Sequence, residues 1–119
     1  MENVYRKVKF RHGDKIEMPI FIKVSTLKKA TYFDLVSVFG EPTLIRLKGN
    51  SYMQWLFENL ETGYVVSIVD TGMKSQIDVI CNCLEWSICL PEADKKTNIS
   101  TFYNYMNKKK EEMLGVLYN

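Results

Sequence analysis

The sequence predicts an α+β domain: an antiparallel sheet of about five strands carrying two helices, in the order ββ-α-βββ-α. Two observations lead there. Apolar residues alternate at period two over several stretches and recur at helical spacing over two others, and glycine, proline and asparagine punctuate the joins. The chain has 119 residues, which fits a single domain spanning 1–119 that buries its own core. Hydrophobic residues are 46% and charged residues 25%. That balance is globular and argues against global disorder.

Residues 4–11 open the sheet. Val4, Arg6, Val8 and Phe10 alternate with Tyr5, Lys7, Lys9 and Arg11. His12-Gly13-Asp14 reads as a turn. Ile16, Met18, Ile20, Ile22 and Val24 then alternate with Glu17, Pro19, Phe21 and Lys23. Together these predict an N-terminal β-hairpin, with Pro19 marking its second strand as an edge or a bulge.

The period changes after Ser25. Tyr32, Leu35, Val36 and Phe39 stand at i, i+3, i+4 and i+7. That predicts a helix over Tyr32–Phe39, capped by Thr31, closed by Gly40 and stopped by Pro42. Residues 44–48 read as a loop or short strand ending in the turn Gly49-Asn50-Ser51. Met53, Trp55 and Phe57, then Tyr64, Val66 and Ile68, predict a second hairpin around Glu61-Thr62-Gly63. Residues 77–90 read as a long strand, continuous or broken near Asn82, ended by Pro91. A last helix begins after Asn98 or Ser100, with Ile99, Phe102, Tyr103, Met106, Met113, Leu114 and Leu117 as its apolar stripe and the stem of Lys110 filling its middle turn. No internal repeat or linker interrupts the chain.

Several function classes lose ground on composition. The net charge of +2 is too small to mark a nucleic-acid binder by itself and rules out global mimicry of DNA. No apolar run approaches the ~18 residues of a membrane span, and no apolar signal core follows the first charges. The protein is therefore expected in the cytoplasm, without membrane contact. Three cysteines cannot all pair with one another, and Cys81, Cys83 and Cys89 are expected to be reduced thiols.

Catalytic and metal-binding patterns are missing as well. One histidine, His12, and the spacing Cys81-Asn82-Cys83 do not make a zinc motif. The glycines are isolated turn residues rather than a phosphate loop. Glu58 with Glu61, and Glu111 with Glu112, read as solvated charges. Asp70 and Asp78, near strand ends, are the carboxylates to examine first if activity exists. The expectation is a non-enzymatic protein with no cofactor and no metal.

Binding faces are easier to name. Tyr5, Lys7, Lys9 and Arg11 form an aromatic–basic strand face, with Phe21 and Lys23 beside it in the predicted hairpin. Such a face can hold phosphates and stack a base, or it is the solvated side of a half-covered sheet. Lys108, Lys109 and Lys110, with Lys95 and Lys96, could steer an anionic partner, although Glu111 and Glu112 follow directly. Seven tyrosines, six phenylalanines and two tryptophans are many for a core of this size. Exposed tyrosine suits a protein partner or a homodimer.

Four stretches carry a resemblance. They are Tyr32-Phe33-Asp34-Leu35-Val36-Ser37-Val38-Phe39-Gly40-Glu41-Pro42, Gln54-Trp55-Leu56-Phe57, Thr62-Gly63-Tyr64-Val65-Val66-Ser67-Ile68 and Trp86-Ser87-Ile88. This pattern resembles a loose set of small phage-encoded proteins. Those share a short helix ending in FGEP, a tryptophan strand, an acid–glycine turn, a strand ending near IYD and a late W-x-I-G-G. The chain departs from it at Thr62, which replaces the acid, at Val69, which replaces the tyrosine, and at Cys89 and Leu90, which replace the glycine pair.

The resemblance implies a phage accessory protein of the counter-defence kind, one that binds and inhibits a host defence protein in the manner of an anti-CRISPR. The alternatives are sequestration of a nucleotide immune signal and direct nucleic-acid binding.

Overall fold

The computed structural model describes residues 4–9, 19–45 and 52–118, with side chains up to residue 111. The elements are β1 (Tyr5–Lys7), β2 (Phe21–Lys28), α1 (Tyr32–Phe39), β3 (Leu44–Ile45), β4 (Met53–Asn59), β5 (Val65–Asp70), α2 (Gln76–Asn82), β6 (Glu85–Pro91) and α3 (Ile99–Tyr118). The strands make one antiparallel sheet in the order β1-β4-β5-β6-β2, with the short β3 also paired to β4. The α+β class and the antiparallel sheet expected from the sequence hold. Among the described residues no helix is long and apolar enough to cross a membrane.

Two expectations are corrected. β1 and β2 do not form a hairpin: β1 pairs with β4 and β2 with β6, at opposite edges of the sheet. Period two marks each as a strand but carries no information about its partner. The turn residues His12, Gly13 and Asp14 lie outside the described residues, as do Gly49, Asn50 and Ser51.

Residues 77–90 are not one strand either. Helix α2 occupies Gln76–Asn82, and only Glu85–Pro91 is strand. Ser75 caps α2 by accepting from Asp78 N at 3.0 Å. Val79 and Cys83, four apart, turn inward, while Ile77 is 73% exposed. A run this rich in β-branched residues fits both periods, and the cap decides between them.

The core lies on one face of the sheet. Met53, Trp55 and Phe57 of β4, Val66 and Ile68 of β5, and Trp86, Ile88 and Leu90 of β6 pack against Leu35 of α1, Val79 of α2, and Phe102 and Met106 of α3. Trp55 and Trp86 are fully buried and meet edge to face, their centroids 5.3 Å apart. Burying 150–250 Å² of each indole stabilises the fold by about 4–6 kcal/mol as an upper bound.

Each indole also holds one end of α1. Trp86 Nε1 donates to Ala30 O at 2.8 Å, just before the helix, and Trp55 Nε1 donates to Gly40 O at 2.9 Å, just after it. Thr31 and Asp34 complete a capping box at the N-terminus. So the sheet fixes both the position and the ends of this short helix.

The opposite face of the sheet also buries side chains. Leu56 and Cys89 are buried there, and Gln54 Nε2 donates to Ser67 Oγ at 2.7 Å. Asp70, at the end of β5, is buried and accepts from Tyr52 N, Met53 N and Met73 N at 2.7, 2.9 and 3.2 Å. This carboxylate locks the start of β4 to the turn after β5.

Candidate ligand-binding cleft

A cleft of about 770 Å³ opens where β1, the end of α1 and α3 meet. Lys7, Lys9 and Lys109 line it together with the rings of Phe39 and Tyr105, and the segment from Gly40 to Thr43 forms one wall. The register explains how Lys7 arrives. Tyr5 lies opposite Asn59 and Lys7 opposite Phe57, so both side chains project to the helix side of the sheet. Arg6 projects to the other side and pairs with Glu58 at 3.1 Å.

Thr43 ties the wall to the strand. Its hydroxyl donates to Val8 O at 2.9 Å and accepts from Leu56 N at 3.0 Å, while Val8 N donates to Leu56 O at 2.8 Å. One side chain thus binds the end of β1, the middle of β4 and the corner after α1. Gly40 makes the corner with φ +80, a conformation that other residues adopt only with strain. A Cβ there would lie 3.2 Å from Lys7 Nζ, so the glycine also leaves room for the ammonium.

The electrostatics are mixed. Partial burial lowers the Lys7 pKa, the neighbouring Lys9 charge lowers it further, and Glu41 opposes both. Burial raises the Tyr32 pKa, and the Glu41 carboxylate, 3.5 Å from Tyr32 Oη, raises it again. The aromatic floor is continuous with the core. Tyr105 packs on Tyr5 and Phe57, stands nearly parallel to Phe39 at 6.4 Å, and has Lys109 Nζ 5.9 Å from its ring centre.

The residues singled out in the sequence are divided by this fold. Lys7, Lys9 and Lys109 come together in the cleft. Tyr5 lies beneath it, but at 2% exposure it belongs to the core, with its hydroxyl 3.0 Å from Thr101 Oγ1. The strand face that carries Tyr5 and Lys7 is therefore the inner, helix-covered face rather than an open outer one.

Phe21 and Lys23 lie on β2, at the far edge of the sheet, and do not join the cleft. Lys110 lines a second hollow of about 430 Å³ between α1 and α3, near Lys28 and Lys29. Lys108 is half-buried on α3 and lines neither hollow. Arg11 lies outside the described residues.

Sequence reasoning missed Phe39, Gly40, Glu41, Thr43 and Tyr105 as parts of a site. Gly40 and Glu41 stand in the FGEP stretch, which was the available signal. The carboxylates considered for chemistry have structural partners instead. Asp70 holds backbone amides, as above. Asp78 accepts from Asn82 Nδ2 at 2.8 Å and from Lys74 N at 3.1 Å, contacts that lower its pKa, the Asn82 bond most. Glu58 pairs with Arg6.

No protein-family model, curated protein or solved structure matches the chain.

Proposed function

We propose that this chain is a phage-encoded counter-defence protein that works by stoichiometric binding, and that the β1–α1–α3 cleft receives an anionic component of host defence. The observation that carries this reading is the convergence of Lys7, Lys9 and Lys109 on one concavity floored by aromatic rings. The four stretches that resemble small phage proteins supply the biological context. The cleft supplies a chemistry that composition alone did not.

Sequence reasoning put a defence protein first as target and a nucleotide signal second. The shape of the site supports placing the nucleotide signal first. A hollow of about 770 Å³ lies in the range of small-molecule sites, roughly 300–1,000 Å³. Among the exposed apolar side chains that a protein interface could centre on, Phe33, Ile77 and Ile22 lie on α1, α2 and β2, outside the cleft lining. Occlusion of a protein surface is therefore the second reading, supported by the exposed residues Phe33 and Ile77.

The test is phage plating on hosts that carry a defence system driven by a small anionic signal. The wild-type protein is expected to restore plaques. The double variant Lys7→Glu, Lys9→Glu is expected to fail while melting like the wild type. Equal rescue by the double variant would remove the cleft from the mechanism.

A further inference from the structure

We infer that the ligand of this cleft is a nucleotide, with its phosphates held by Lys7 and Lys9 and its base lying against Tyr105 and reaching Glu41. This assignment rests on the anion-binding reading of the cleft and makes its ligand class specific. Three features of the site ask for three different parts of one molecule.

The cationic part is Lys7 and Lys9, which line the same hollow and lie close enough for the Lys9 charge to lower the Lys7 pKa. An anion with several oxygens relieves that repulsion by engaging both ammonium groups. Partial burial of Lys7 strengthens the attraction, because a partly desolvated charge interacts through a lower dielectric.

The aromatic part is the Phe39–Tyr105 pair, nearly parallel and lining the same hollow. Bases stack on such rings without needing a particular sequence. Inorganic phosphate or a sugar phosphate would leave this apolar wall unused.

The acidic part is decisive. Glu41 shares the cleft with the lysines. A carboxylate there weakens the binding of any simple anion. Its presence fits a ligand that carries hydrogen-bond donors as well as negative charge, and a nucleobase offers ring and amino N–H groups to a carboxylate.

The test is calorimetric titration of the full chain with ADP, GDP and pyrophosphate. At least one nucleotide is expected to bind about tenfold more tightly than pyrophosphate, the scale of one base–aromatic stack. Tyr105→Leu is expected to erase that preference and leave pyrophosphate binding intact. Glu41→Gln should tighten pyrophosphate and not the nucleotide. Should Tyr105→Leu fail to fold, saturation transfer to the bound nucleotide on the wild-type chain replaces it, with the base protons expected to respond most strongly.

Pyrophosphate binding as tightly as both nucleotides, or a saturation pattern confined to the ribose, would overturn the nucleotide assignment and leave the anion cleft standing. Tighter binding of an oligonucleotide than of either mononucleotide, with steep salt dependence, would overturn it in favour of nucleic acid. Absence of binding by all three titrants would overturn the nucleotide assignment and the anion reading together.

Discussion

Trp55 Nε1 donates to the carbonyl oxygen of Gly40 at 2.9 Å, from an indole that is fully buried in the sheet. That bond fixes the corner after α1 and, through it, the wall that faces Lys7. Trp55→Phe removes the donor and leaves the carbonyl short of a partner. The expected cost is about 2–4 kcal/mol in urea unfolding, from the lost bond and the space left by the smaller ring. The same change in Trp86 frees Ala30 O at the other end of α1. It should destabilise by a similar amount but disturb ligand binding less, because Ala30 is no part of the cleft lining.

Lys7 makes ligand binding sensitive to alkaline pH. Its folded pKa lies below the ordinary lysine value, because burial and Lys9 disfavour the ammonium. The folded state therefore releases this proton before the unfolded state does. Its contribution to stability rises with pH between the lowered value and the ordinary one. An anionic ligand needs the ammonium, so affinity should fall as pH climbs through the lowered value. Lys7→Gln should weaken binding at neutral pH and flatten that alkaline limb. An unchanged limb in Lys7→Gln would assign it to another group.

Asp70 is a structural carboxylate in this account. It accepts from three backbone amides while buried at the end of β5. Asp70→Asn keeps one accepting oxygen and turns an NH₂ group toward the remaining donor. Denaturant unfolding should show a loss of about 2–3 kcal/mol. Ligand affinity per folded molecule should not change, since Asp70 is no part of the cleft lining.

The thiols should separate by kinetics. Cys81 is exposed on α2, whereas Cys83 and Cys89 are buried. Burial raises the pKa of both buried thiols, and Cys83 Sγ also donates to Glu85 O at 3.1 Å. A thiol reagent at neutral pH should label Cys81 promptly and the other two only as the protein unfolds. Prompt labelling of Cys89 would show that the sheet face around it is open.

How far the fold was legible varies by element. Helix α1 was, because Tyr32, Leu35, Val36 and Phe39 keep helical spacing between a threonine cap and a glycine–proline stop. The β4–β5 hairpin was, because its turn and its alternation agree. The first two strands were recognised but mispartnered, since their true neighbours, β4 and β6, lie far along the chain. Helix α2 was hidden among Ile77, Val79 and Ile80, residues of strand propensity, with Ser75 and Asp78 as the overlooked cap.

The site was half legible. Lys7 and Lys9 stood out by alternation, but alternation could not tell which side of the strand the helices would cover. Thr43 and Tyr105 reach the cleft only through tertiary packing, which no local pattern encodes.

The proposed function requires the cleft beside β1 to take an anion. Amide chemical-shift mapping of the ¹⁵N-labelled protein during titration with pyrophosphate tests it most directly. Saturable shifts are expected to cluster at Lys7, Val8, Lys9, Gly40, Glu41 and Lys109, and to be absent from the Lys7→Glu, Lys9→Glu variant. Shifts centred instead on Phe21 and Lys23 of β2, or none at millimolar pyrophosphate, would contradict it.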